Sequence, residues 1–383
     1  MNIGINASFL RKPNTGIGQV TTHFLETLVN LERSEKSLKN YKFIIYTEEK
    51  SGVKWPRNFV EETFLPWYKR DDLFRKLLWE KWYLPRKAHK NKCDVLISLY
   101  QSATVIHYTD MKHVMIVHDI IPQIFPEYLN NLRKKIYWAK VEKGIYAANK
   151  IVTVSEHTKV DLELRLNVKA YKTFVSKIAV DNIFADDVSE KDLNRVMKKY
   201  GLEKGNYLYT GGGLEMRKDV DRTLRAYKKL KERNEDVPKL VVSGKLMPEL
   251  APLIIDVEQI VLDLNLVDDV VILGFVEQKD LPALYKGAKV FIYPSLYEGF
   301  GMPVLESMSV GTPVITARDT SIYEVSGDAA VYADHDDEDL CNKIADTIVD
   351  KNLLVKMSLE GKERSKEFSW CSFVKDVFNV VNS

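Results

Sequence analysis

Two carboxylates, Glu298 and Glu306, bracket Glu298-Gly299-Phe300-Gly301-Met302-Pro303-Val304-Leu305-Glu306, directly after the apolar run Val290-Phe291-Ile292-Tyr293. Pro303 suits the first position of a helix. The amides of Met302 to Leu305 at such a helix start have no partner within the helix and can hold phosphate oxygens. Glu306, about one turn in, can accept two hydrogen bonds from a cis-diol such as ribose, while Glu298 points beyond the phosphates. The ordinary alternative pairs Glu306 with the helix dipole and leaves Glu298 a loop charge. Together, inside two glycines and a placed proline, the two carboxylates read as a site.

A second loop, Thr210-Gly211-Gly212-Gly213-Leu214-Glu215-Met216-Arg217-Lys218, follows the strand at Tyr207–Tyr209, and Asp219 can cap the next helix. Cations beside a helix N-terminus are disfavoured unless an anion lies between them. A diphosphate suits Arg217, a planar fork, and Lys218, a point charge. The alternative is a solvated pair in a chain with 56 basic residues. A third loop carries Gly16-Ile17-Gly18 into a helix at roughly 19–31. Only two of the three glycines of a dinucleotide fingerprint are present, so the loop is a weak nicotinamide signature.

These loops need strands to end at them. Candidate strands recur through the chain, at 2–7, 42–47, 94–98, 113–118, 150–154 and 172–178, then at 206–210, 239–243, 270–273, 289–293, 313–316 and 329–332. Several are apolar throughout, as strands covered on both faces require. Amphipathic segments separate them; Val220, Leu224, Tyr227 and Leu230 form one stripe, with Arg222, Arg225, Lys228 and Lys229 opposite. Alternating strands and helices imply doubly wound sheets. The expected fold is α/β, with two Rossmann-like domains facing a cleft: 1–184, joined by a returning terminal helix 368–383, and 185–367.

Composition narrows the class. The 383 residues contain 56 Lys or Arg and 54 Asp or Glu, a net charge of +2, which argues against a nucleic-acid binder. Cys93, Cys341 and Cys371 are scattered, so no disulfide framework or thiolate metal site is readable. No signal peptide and no membrane span is expected.

The 293–306 segment, continued by Ser309-Val310-Gly311-Thr312-Pro313-Val314-Ile315, resembles the signature of the family 4 glycosyltransferases, retaining enzymes of GT-B architecture with an E-x7-E motif. Arg217-Lys218-Asp219, Gly274-Phe275-Val276, Val117-His118-Asp119, Val154-Ser155-Glu156 and Gly16-Ile17-Gly18 extend the resemblance over nearly the whole chain. The resemblance implies a nucleotide-sugar donor and a glycan or lipid-linked saccharide acceptor, with no metal or other cofactor required. Catalytic roles fall to Glu298, His118, Arg217 and Lys218. Donor contacts fall to Gly16, Gly18, Gly213, Val276, Gly299, Phe300, Gly301, Met302, Pro303, Val304, Leu305 and Glu306. One departure stands out: Gly212 and Gly213 occupy the place of a family arginine, so Arg217 must substitute for it.

The implied activity is retaining hexosyl transfer in surface polysaccharide biosynthesis, in the cytoplasm or at the inner face of the plasma membrane. Sugar-nucleotide epimerases and non-catalytic nucleotide-sugar-binding subunits are the alternatives. A nicotinamide dehydrogenase is weaker, since only Glu48 and Glu49 approach an acidic end to the second strand. Asp219-Val220-Asp221 and Asp334-His335-Asp336 match a DxD metal pattern, but a helix cap and an acidic loop are structural positions, so no metal site is expected. Segment 67–90 interleaves Trp67, Tyr68, Trp79, Trp82 and Tyr83 with basic residues. That suits a peripheral membrane contact; a helix whose Trp face covers the first sheet is the favoured alternative.

Overall fold

The computed structural model describes all residues except 37, 66, 68–71 and 234–235. The chain divides into two units, Met1–Ile178 with Ser369–Ser383, and Ala179–Phe368.

The first unit is a seven-stranded parallel sheet ordered β3-β2-β1-β4-β5-β6-β7. Its strands are β1 (Asn2–Asn6), β2 (Lys42–Thr47), β3 (Phe59–Thr63), β4 (Val95–Ser98), β5 (Lys112–Val117), β6 (Lys150–Thr153) and β7 (Thr173–Val175). All but β3 were legible as apolar runs. β3 carries Glu61 and Glu62 at the sheet edge, where one-sided pairing tolerates charge, and so lacks the buried-strand signature.

The helix expected at 19–31 spans Gly16–Ser34. Gly16-Ile17-Gly18 is therefore its first turn and not a loop. Thr15 caps it, its Oγ1 accepting from the Gly18 amide at 3.2 Å. A Cβ on Gly18 would lie 1.9 Å from the Lys12 carbonyl oxygen, so glycine there lets the preceding loop lie against the helix. The terminal helix Trp370–Asn382 packs on Gly16–Ser34 through edge-on Phe24 and Phe373, centroids 6.2 Å apart. Lys150 Nζ donates to its Val380 carbonyl at 2.9 Å.

In segment 67–90, helices Asp72–Leu78 and Leu84–Lys90 flank a π-turn at Trp79–Tyr83. Trp79 is fully buried and stacks on Phe64, centroids 4.1 Å apart. Burying such a side chain contributes roughly 1.5–3 kcal/mol. Trp79 thus covers the sheet, whereas Trp67 and Trp82 are exposed; Tyr68 lies outside the described residues.

The second unit is a six-stranded parallel sheet ordered β10-β9-β8-β11-β12-β13. Its strands are β8 (Tyr207–Thr210), β9 (Lys239–Ser243), β10 (Val270–Gly274), β11 (Val290–Tyr293), β12 (Val314–Thr316) and β13 (Val331–Tyr332). Leu208, Val242, Val290 and Ile315 meet helix residues Val220, Leu224, Tyr227 and Leu230 in one core. Arg222, expected on the solvated face, is buried: it pairs with Asp219 and donates to the Asp334 carbonyl at 3.2 Å.

Candidate active site

In the second unit, β8 and β11 are neighbours, and the loops after both meet at their carboxyl ends, where ligands bind in doubly wound sheets. The Arg217 carbonyl accepts from the Leu296 amide at 2.8 Å and from Ser295 Oγ at 2.9 Å, tying the two loops together. Gly212, at φ +88°, sits against Pro303, which a Cβ would approach to 2.7 Å. That contact seats the β8 loop on the start of helix Met302–Ser309.

Glu298 is the hub. Its Oε1 accepts from Arg217 at 2.7 Å, Lys218 Nζ at 2.7 Å, Tyr293 OH at 2.6 Å and Ser295 Oγ at 3.1 Å. Arg217 also donates to the Tyr297 carbonyl at 2.9 Å and pairs with Glu215 at 2.6 Å. Lys218 Nζ hydrogen-bonds Tyr293 OH. Burial pushes the Glu298 carboxyl up, but Arg217 and Lys218 outweigh it and hold it at about 2. Burial and the Arg217 charge lower Lys218, against the pull of Glu298. The result is a buried, ionised cluster with two cations and a helix start beside it.

Glu306 is placed differently. It lies in the helix and accepts from Tyr285 OH at 3.0 Å. Burial pushes it up to about 7, partly offset by Tyr285 and by Lys218. Lys218 therefore acts on both carboxylates.

The helix start offers fewer amides than expected. Pro303 has no N–H, and the Val304 and Leu305 amides both donate to the Gly301 carbonyl, at 3.1 and 3.3 Å. Met302 carries the remaining N–H of that set. The Phe300 side chain packs edge-on against Phe368, centroids 5.7 Å apart. Gly299 and Gly301 flank it, Gly213 lies in the β8 loop, and Val276 is buried just past β10.

The remaining expected residues belong to the first unit. His118, just past β5, is buried, and its Nε2 donates to the Leu99 carbonyl at 2.9 Å. Burial lowers its pKa, so the imidazole is neutral, with Nδ1 as acceptor. Gln101 accepts from the His118 amide at 3.2 Å and, with Asp119, Ile17 and Lys76, lines a hollow of about 380 Å³. Lys76 Nζ lies 4.7 Å from the Tyr100 ring centroid, 5.1 Å from that of Tyr137 and 3.7 Å from Glu80. Gly16 and Gly18 lie beside Ile17. Sequence reasoning missed this hollow because Lys76, Gln101 and Tyr137 share no motif. It also missed Tyr293 and Tyr285, signalled only by hydroxyls in otherwise apolar segments.

Glu48, the nearest acidic end to a second strand, is buried against Arg75 at 2.9 Å and Arg11 at 3.3 Å, so it is not presented to a ribose. The DxD pairs are engaged in the fold. Asp219 pairs with Arg222 and Asp221 with Arg225, while Asp336 caps helix Asp337–Val349. No group of three metal-ligating side chains occurs among the described residues, and no helix there is long and apolar enough to cross a membrane.

Comparison with known proteins bears on the family and the fold. Residues 193–364 match the model for glycosyl transferases group 1, and residues 20–181 that for glycosyltransferase family 4. O-antigen chain mannosyltransferase B of Escherichia coli is 32% identical over 264 residues, covering 69% of this chain and 68% of that protein. O-antigen chain mannosyltransferase RfbU of Salmonella typhimurium is 26% identical over 341 residues, 87% of each. WaaG, a glycosyltransferase involved in lipopolysaccharide biosynthesis, superposes with a TM-score of 0.75 at 15% identity over 100% of both chains, a likeness of fold. The chain belongs to glycosyltransferase family 4, of GT-B type.

Proposed function

We propose that the protein transfers a mannosyl group, with retention of configuration, from a nucleoside-diphosphate mannose to a growing surface polysaccharide or lipid-linked saccharide. The observation that carries the reading is the convergence of Arg217 and Lys218 on Glu298 beside the start of helix Met302–Ser309. The mannosyl assignment rests on the names of the two O-antigen relatives.

The anomeric carbon–oxygen bond to the diphosphate breaks, and a bond to the acceptor hydroxyl forms on the same face. The acceptor proton passes to the departing phosphate oxygen. Arg217, Lys218 and the Met302 amide stabilise the charge that gathers there. Glu298 fixes both cations and orients the donor sugar. Glu306 takes the ribose diol, and the backbone at Val276 meets the base. Within the first unit, neutral His118 presents Nδ1 as an acceptor, and the hollow at Lys76 takes a saccharide. With the diphosphate neutralised by side chains, transfer needs no metal. The enzyme works in the cytoplasm, at the inner face of the membrane where a lipid-linked acceptor is presented.

Thermal-shift screening against UDP, GDP, dTDP and CDP identifies the base. Mass spectrometry of the product after incubation with the matching mannose donor shows an acceptor gaining one hexose; an isomerised donor with no transfer would refute the reading. Turnover persists in excess EDTA; abolition with rescue by manganese would refute the metal-free step.

A further inference from the structure

The loop after β12 is tied to the site at both of its ends. Thr316, the last residue of β12, donates through Oγ1 to the Tyr293 carbonyl at 2.7 Å, and Ser321 Oγ donates to the Glu298 carbonyl at 2.7 Å. Ile322 is fully buried, and a Cβ on Gly301 would lie 3.5 Å from its Cγ1. Ala317 to Thr320 therefore run beside Glu298.

Thr320 is anomalous in three ways. Its backbone lies at φ +65° and ψ −161°, a region that glycine adopts freely and where a β-branched side chain crowds the main chain. Asn167 and Asp219 also have positive φ, but at ψ 34° and 39° they occupy the ordinary left-handed region that Asn and Asp tolerate. A threonine just before a helix ordinarily caps it through the hydroxyl, yet Thr320 makes no such bond to helix Ser321–Ser326. Its hydroxyl is instead buried, with no hydrogen-bond partner among the described residues. The strained backbone and the unpaired hydroxyl both cost stability. Glycine would remove both costs, so local folding does not account for a threonine here. Strained residues of this kind gather where a ligand is held.

The strand order indicates which part of a ligand Thr320 meets. In the sheet, β11 lies between β8 and β12. Arg217 and Lys218 reach Glu298 from the β8 side, and the Thr320 loop borders it from the β12 side. With the base at Val276 beyond β10 and the diphosphate at the two cations, the sugar end of the donor falls to β12. Resting on that reading of the donor site, we propose that Thr320 is a specificity residue whose hydroxyl hydrogen-bonds a hydroxyl of the transferred hexose. Thr320 as a whole is half-buried, and a one-third turn about χ1 exchanges its hydroxyl, methyl and hydrogen, bringing the hydroxyl to the sugar. A hexose that lacks or inverts the matching hydroxyl leaves Thr320 unpaired again, and so is bound less well.

The test is calorimetric titration of the full chain, without acceptor, comparing a mannose donor with its free nucleotide. The donor carries the base found by thermal shift (GDP-mannose where that base is guanine). Thr320→Val keeps the branched shape and removes the hydroxyl. It is expected to weaken binding of the nucleotide-sugar about tenfold and to leave binding of the free nucleotide unchanged. Thr320→Ser keeps the hydroxyl and binds the nucleotide-sugar within about twofold of wild type. Thr320→Gly releases the backbone, melts on the order of 2–5 °C above wild type, and loses nucleotide-sugar affinity as Thr320→Val does. Unchanged nucleotide-sugar binding by Thr320→Val, or equal losses for nucleotide-sugar and free nucleotide, would overturn the assignment. So would a Thr320→Gly protein that melts below wild type, since the threonine would then serve the fold. Wild-type protein that binds neither ligand would refute the donor-site reading, and this assignment with it. The two failures are thus separate results.

Discussion

Arg217 and Glu298 lie 81 residues apart in the chain and 2.7 Å apart in the structure, joined through one guanidinium nitrogen and Glu298 Oε1. Lys218 reaches the same oxygen, so one carboxylate holds both of the cations assigned to the leaving diphosphate. Glu298 therefore acts first on the cations. A group that fixes two buried cations must affect both the fold and the transfer step.

Glu298→Gln tests this dual role. Removing the anion leaves Lys218 buried without the carboxylate it bonds and Arg217 with Glu215 alone, a loss of about 3–5 kcal/mol by analogy with broken buried pairs. Wild-type stability contributed by Glu298 is present above its ordinary value of 4.5 and is lost as pH falls toward about 2. Denaturant melts at several pH values are expected to show that acid-side loss in wild type and its attenuation in Glu298→Gln. Equal melts at neutral pH would show that the cluster does not hold the loop.

Glu306 gives a pH dependence of the opposite origin. A carboxyl raised to about 7 is ionised above that pH and protonated below it. Only the carboxylate accepts both diol hydrogen bonds, so nucleotide affinity falls as pH drops from 8 to 6, approaching about tenfold per unit at the acid end. Nucleotide binding at pH 6 should also release protons, seen by calorimetry in buffers of different ionisation enthalpy. Glu306→Gln binds more weakly and with a flat profile. A flat profile in wild type would contradict the assignment.

The two amino-terminal glycines separate by role. Gly18→Ala drives a Cβ into the Lys12 carbonyl and should cost about 1–3 kcal/mol of stability. Nothing lies within 4 Å of a Cβ on Gly16, which sits in a helical turn. Gly16→Ala is expected to leave stability unchanged or raise it by up to about 1 kcal/mol. Paired thermal melts check this; equal destabilisation would show that Gly16 also packs closely. If Gly16→Ala instead loses transfer while remaining stable, the position serves a ligand.

What the sequence showed of this site follows from where its information is local. Glu298, Gly301, Pro303 and Glu306 sit within one strand–loop–helix unit, so spacing alone located them. Arg217 and Lys218 were legible because a glycine run put cations beside a helix start. Their pairing with Glu298 was not, because adjacency of β8 and β11 is a property of the sheet order. Tyr293 and Tyr285 read as core aromatics, and burial does place them there; only the third dimension turns their hydroxyls toward Glu298 and Glu306.

The most direct measurement is the turnover number of Lys218→Met with the matching nucleoside-diphosphate mannose, alongside wild type. The methionine keeps the bulk of the buried side chain and removes the ammonium proposed to meet the leaving group. The expected result is a fall in kcat on the order of 10²–10³, in a protein that still folds and still binds the free nucleotide. A folded Lys218→Met enzyme with wild-type kcat would contradict the assignment of this cluster to the departing diphosphate.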